Sequence, residues 1–123
     1  MPYDPSVEQD PRNWLALDDE ERLSEALAYH KRSKIKPPNS QLHAIMHVAV
    51  ENQVAEGYEA AVRALGRLLD EGLERHEAIH AIASRLATQM HGLMGGAASE
   101  FDRAAYDRDL NALTADAWTK NVG

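Results

Sequence analysis

The stretch LHAIMHVAVENQVAEG, residues 42–57, decides how this chain folds, and RHEAIHAIASRLATQM, residues 75–90, repeats its main feature. In the first, Leu42, Met46, Ala49, Val50 and Val54 recur at helical intervals until Gly57 stops the pattern. In the second, Ile79, Ile82, Ala83, Leu86 and Met90 form a similar stripe. Each carries a histidine pair at the same spacing, His43/His47 and His76/His80. Residues four apart lie on one helix face with Cβ atoms about 5–6 Å apart, the span over which two imidazoles can grip one ion.

Outward from these two segments the remaining pattern is also helical. Asp18 and Glu21 form a capping box for a helix over 18–33, in which Leu23, Ala26, Leu27 and His30 share a stripe that KIKPP (34–38) ends. Pro37, Pro38, Asn39 and Ser40 read as a turn with N-caps for the first histidine helix. YEAAVRALGRLLD (58–70) turns Ala61, Val62, Leu65, Leu68 and Leu69 inward and stops at Gly72. The second histidine helix runs from about Leu73 to Met94, with Gly95 and Gly96 as terminator. Beyond it, Ser99 and Asp102 cap a thinner helical pattern through Phe101, Ala105 and Leu110, which Thr114 restarts. Residues 1–13, with Pro2, Pro5 and Pro11, read as an extended arm without core contribution, docked by Trp14, Leu15 and Leu17. No stretch alternates with the strand period. The expected fold is all-α, a helical bundle of about four core helices over 14–96 with a C-terminal helical appendage over 97–123.

Composition narrows the function classes. At 123 residues and 44% hydrophobic the chain has the size and apolar content of one globular domain. No apolar run approaches the roughly 18 residues of a membrane span, and MPYDPSVEQD has neither the basic start nor the apolar stretch of a secretion signal, so a cytoplasmic protein is expected. A formal charge of −7 opposes binding to nucleic acid, and the basic group Lys31, Arg32, Lys34 and Lys36 suits a helix C-terminus better than a phosphate backbone. The absence of cysteine leaves imidazole and carboxylate as ligands for any transition metal, with zinc, iron, manganese and nickel open.

On a helical wheel His43, His47, Val50 and Val54 occupy one sector with Glu51 at its edge. His76, His80, Ala87 and His91 border the Ile79/Ile82/Leu86/Met90 stripe. Several buried imidazoles without partners would each cost about 1–3 kcal/mol, a burden that coordination would relieve. The expected site is therefore His43, His47, Glu51, His76 and His80 around a divalent transition metal, with His30 as an outer contributor. Glu51 and Glu77 are the candidate carboxylate ligand or general base. The competing reading is a helical interaction module, for instance a homodimer, whose histidines are structural.

His76–Glu77–Ala78–Ile79–His80 also matches H-E-x-x-H, in which two histidines hold zinc and the glutamate activates its water. Ala83 and Leu86 stand where the longer metzincin form needs glycine and a third histidine, and no strand is evident to align a peptide. Glu77 and His80 equally satisfy the E-x-x-H pairing of helical di-iron proteins, which the first histidine helix does not match. A metal-dependent hydrolase thus stands as a further alternative, with catalysis and any small-molecule substrate unassigned.

Residues 26–57 and 67–90 carry Tyr29–His30, Pro38–Asn39, Leu42–His43, His47, Val50 to Gln53 and the run from Glu71 to Ile82. Over about 14–94 these blocks resemble a family of small bacterial helical proteins known as a domain of unknown function. The resemblance implies a small, cytoplasmic, helical protein without an assigned activity. His30, His43, His47, Glu51, His76, Glu77 and His80 match that family's polar pattern, and the part after Gly95 lies outside it.

Overall fold

In a computed structural model of the chain, which describes residues 3–33, 40–96 and 100–122, seven helices pack against one another without a strand among the described residues. They are α1 (Pro11–Ala16), α2 (Asp19–Ser33), α3 (Ser40–Ala55), α4 (Glu59–Asp70), α5 (Arg75–Met94), α6 (Arg103–Ala112) and α7 (Ala115–Val122). Local chemistry sets their ends. The Asp18 carboxylate accepts from the Glu21 amide at 2.8 Å while Glu21 accepts from the Asp18 amide at 3.0 Å, closing the capping box. Gly57 and Gly72 end α3 and α4 with φ of 76° and 95°, a left-handed conformation that side chains disfavour. Asp102 caps α6 through the Ala105 amide, and Thr114 caps α7 through the Ala117 amide. The expected turn at Pro37, Pro38 and Asn39, the cations Lys34 and Lys36 and the cap at Ser99 lie outside the described residues.

α3 is the axis of the fold, packed against α1, α2, α4 and α5. Its apolar residues therefore point to more than one side. Val50 joins Leu65 and Leu68 of α4, Ile79 and Ile82 of α5, and Tyr106, Leu110 and Leu113 in the main core. Ala44 joins Tyr3, Trp14 and Ala26 in a second, smaller core. Each fully buried leucine or isoleucine contributes about 1.5–3 kcal/mol, so the main core carries most of the stabilisation. Between the two clusters the same helix turns its histidines toward α2 and α5.

Several expectations are revised. Residues 1–13 do contribute to the core: Tyr3 is 1% exposed and packs on Trp14, and Pro11 already begins α1. The C-terminal helices are more than peripheral, because Tyr106, Leu110 and Leu113 are buried and Arg67 of α4 donates to the Leu110 and Leu113 carbonyls at the C-terminal end of α6. Tyr58 further bonds Asp107, and Tyr106 donates to Gln53 at 2.6 Å. Leu42, Val62, Leu69 and Met90 are exposed rather than inward, since their helices carry more apolar residues than one buried face accommodates. Among the described residues no helix is long and apolar enough to cross a membrane.

Candidate metal centre

Five of the six histidines meet where α2, α3 and α5 converge. His43 and His47 project from α3 with ring centroids 4.9 Å apart, and His76 and His80 from the first turns of α5 with centroids 4.4 Å apart. His47 is the hub, with centroids 4.9 Å from His30 of α2 and 4.9 Å from His80. It is 1% exposed, whereas His43, His76 and His80 are half-buried and leave the cluster reachable from solvent. Two groups of three, His30/His43/His47 and His47/His76/His80, each bring one ring nitrogen per residue within 4.8 Å of the others. His91 is exposed and takes no part in these groups.

Hydrogen-bond partners constrain which ring nitrogens carry a lone pair. Tyr3 Oη donates its only proton to Glu51 Oε2 at 2.7 Å, so at 3.0 Å from His47 Nδ1 it can act only as acceptor. His47 Nδ1 therefore bears the hydrogen, and in the neutral ring Nε2 is bare. That Nε2 lies 3.0 Å from His80 Nε2. On the far side of His80, Glu77 Oε1 is 3.7 Å from Nδ1, too long for a hydrogen bond but near enough to favour a proton there. With the hydrogen on His80 Nε2 the 3.0 Å contact is a hydrogen bond to His47; with it on Nδ1, two lone pairs face each other and a cation could sit between them. Two nitrogens each 2.0–2.1 Å from one ion stand roughly 2.9 Å apart at a right angle and roughly 3.4 Å apart at the tetrahedral angle, which brackets this distance. His76 completes the group: its Nε2 is buried and lacks a hydrogen-bond partner, while Tyr29 Oη lies 3.5 Å from its Nδ1.

A proton is a poor substitute for that cation. Burial, then the neighbouring imidazoles, with His80 foremost, lower His47 from the ordinary 6.5 to about 2. Burial followed by His76 and His43 lowers His80 to about 4, with Glu77 opposing. Burial likewise lowers His43 and His76, each helped by His30. His43, His47, His76 and His80 are thus neutral at pH 7, the state in which an imidazole can coordinate. In the metal-free protein the unfolded chain binds more protons than the fold once pH drops below about 6.5, so stability present above that pH is lost as pH falls toward 4. The urea midpoint of metal-free protein is expected to be lower at pH 5.0 than at pH 7.5; equal midpoints would mean that the folded rings protonate as freely as unfolded ones.

Both candidate carboxylates stand behind the rings rather than among the converging nitrogens. Glu51, expected at the ligand or base position, is 1% exposed and accepts from Arg75 Nη2 and Nη1 at 2.8 Å each as well as from Tyr3. Its oxygens are already committed to a bidentate ion pair. Glu77 accepts from the Trp118 indole at 3.0 Å and faces the Nδ1 edge of His80, the place of a partner that orients a ligand rather than of a base acting on bound water. His30 donates Nδ1–H to the Ala26 carbonyl at 2.8 Å, which turns Nε2 into an acceptor.

Sequence reasoning missed Tyr3 and Arg75. Tyr3 is a single aromatic in a proline-rich segment, and Arg75 is 24 positions from its partner, a separation that no local pattern encodes. The one usable hint was that Arg75 and Glu51 both adjoin apolar stripes, where a charge needs its opposite. In comparisons with known proteins, no family model, no curated protein and no solved structure matches this chain.

Proposed function

We propose that this protein binds one divalent transition-metal ion through Nε2 of His47, His76 and His80, with His43 and His30 adjoining. The observation that carries the reading is the convergence of three imidazoles with ring nitrogens within 4.8 Å of one another, in which His47 Nε2, left with a bare lone pair by Tyr3 behind its ring, comes within 3.0 Å of His80 Nε2, whose far edge faces the Glu77 carboxylate. An all-imidazole donor set suits zinc, nickel or iron better than manganese, which prefers oxygen. Three protein ligands leave a position for water or another small ligand, and the metal would supply Lewis acidity there. The chain's own residues supply neutral ligands and their orienting partners: Tyr3 behind His47, Glu77 behind His80. Tyr3 and Tyr29 also line a neighbouring open groove of about 800 Å³ that bears Asp4, Glu8, Asp10 and Glu25 with Arg32 but none of the histidines. With Glu77 behind a ring, a peptidase-type role for the H-E-x-x-H motif is less well supported than plain metal binding.

Protein purified without a polyhistidine tag is expected to carry, or take up, one zinc or nickel per chain. At a hundredfold excess over Kd the ion contributes about 2.7 kcal/mol, a rise in Tm on the order of 10 °C for a chain of this length. Absence of bound metal by elemental analysis, with no thermal shift from zinc, iron, manganese or nickel, would overturn the reading. The histidines would then be structural members of an interaction module, for which the exposed Val62 and Leu69 of α4 offer an apolar face.

A further inference from the structure

The N-terminal segment closes over the histidine cluster through one atom. Tyr3 Oη stands between His47 Nδ1 at 3.0 Å and Glu51 Oε2 at 2.7 Å, and Glu51 is gripped by both terminal nitrogens of Arg75. Arg75 Nη1 donates again to the Pro5 carbonyl at 3.0 Å, and Arg32 donates to the Tyr3 carbonyl at 3.1 Å, so the segment is tied down at the tyrosine itself and two residues after it. Tyr3, Glu51, Arg75 and His47 are all buried.

We infer that Tyr3 is a positioning residue which, oriented by the Glu51–Arg75 pair, locks His47 in the Nδ1–H tautomer and thereby aims its Nε2 lone pair at the metal position. The inference rests on the metal reading for its purpose, but the tautomer is a property of the metal-free protein. The direction of the chain follows from proton supply. Guanidinium has only donors, an ionised carboxylate only acceptors, and the phenol one proton. Arg75 donates to Glu51, Tyr3 donates to Glu51, and the phenol oxygen is left to receive His47 Nδ1–H. The alternative, a phenol proton turned to His47 Nδ1, would set the phenol oxygen against the Glu51 carboxylate at 2.7 Å with no hydrogen between them. In free neutral histidine the hydrogen exchanges between the two nitrogens, so a fixed tautomer is something the protein must impose.

A consequence concerns stoichiometry. With Nδ1 committed to Tyr3, His47 has one lone pair to give, so the two groups of three that share it cannot both be filled. The approach of His80 assigns it to His47/His76/His80, and His30 and His43 then flank the ion without forming a second complete site.

Long-range proton–nitrogen NMR on 15N-histidine-labelled, metal-free protein distinguishes the nitrogens directly. At pH 7.5 the His47 ring is expected to show a pyrrole-type Nδ1 and a pyridine-type Nε2. In Tyr3→Phe, which keeps the buried ring and removes the hydroxyl, the two nitrogens should move toward averaged shifts, and zinc affinity should fall about 10–100-fold, the range for lost outer partners of a ligand. A spectrum of His47 unchanged by Tyr3→Phe, or a wild-type ring protonated on Nε2, overturns the inference. If Tyr3→Phe fails to fold, the wild-type spectrum decides: Nδ1–H upholds the lock and Nε2–H refutes it. Wild-type protein with the expected tautomer but no zinc binding removes the metal reading and leaves the tautomer lock standing.

Discussion

His47→Ala is expected to abolish high-affinity zinc binding, while His43→Ala is expected to weaken it by no more than about tenfold. Loss of an outer partner commonly lowers affinity 10–100-fold, and loss of a ligand itself should exceed the top of that range. The contrast arises from position. His47 is the one ring common to both convergent groups, so its removal leaves two imidazoles on either side and no set of three. His43 belongs only to the group that the lone-pair assignment leaves incomplete, and its removal keeps His47, His76 and His80 in place. Competition against a chromogenic chelator measures both variants, with circular dichroism confirming that each retains its helices. Equal losses for His43→Ala and His47→Ala, or wild-type affinity in His47→Ala, would sink the assignment of ligands.

The contrast also shows what was legible in the sequence. The i, i+4 pairs and the apolar stripes beside them were enough to put each pair on the inward side of its own helix, because helical periodicity converts spacing into direction, whereas the packing of those two helices against each other is a tertiary fact that spacing leaves open. Caps were legible for the same reason: Asp18 with Glu21, and Asp102, act within three residues of themselves. Glu51 was correctly expected on the inward side, yet its chemistry was not, because the guanidinium that occupies it comes from another helix. The N-terminal segment was misread most. Three prolines in 13 residues do predict an irregular backbone, but irregular backbone can still bury a side chain, and Tyr3 fills a space between α2 and α3 that no periodicity describes. Exposed Leu42 and Val62 show the converse limit: a helix can carry more apolar side chains than its neighbours cover.

The largest loss of stability is expected from Arg75→Met. Arg75 and Glu51 form a pair with side chains 6% and 1% exposed, linked by two bonds of 2.8 Å. Removing the guanidinium strands a carboxylate in the interior with only the Tyr3 hydroxyl for company, a change that costs about 3–5 kcal/mol where buried pairs have been broken from one side. Against a total stability of about 5–15 kcal/mol this is enough to shift the urea midpoint strongly or to leave the domain partly unfolded at 37 °C. The N-terminal segment should loosen with it, since Arg75 also holds the Pro5 carbonyl. The pair nevertheless need not favour folding over an apolar equivalent, because both ions lost their water to enter the core. The double variant Glu51→Gln/Arg75→Met therefore should recover part of the loss, with a coupling of about 0.5–3 kcal/mol in a double-mutant cycle. Its zinc affinity should stay low all the same: an amide at 51 can donate as well as accept, and Tyr3 no longer has an obligatory acceptor to fix the His47 tautomer. A single variant costing under about 1 kcal/mol would mean that water reaches the pair; a double variant with wild-type zinc affinity would mean that the pair supports the fold without orienting the site.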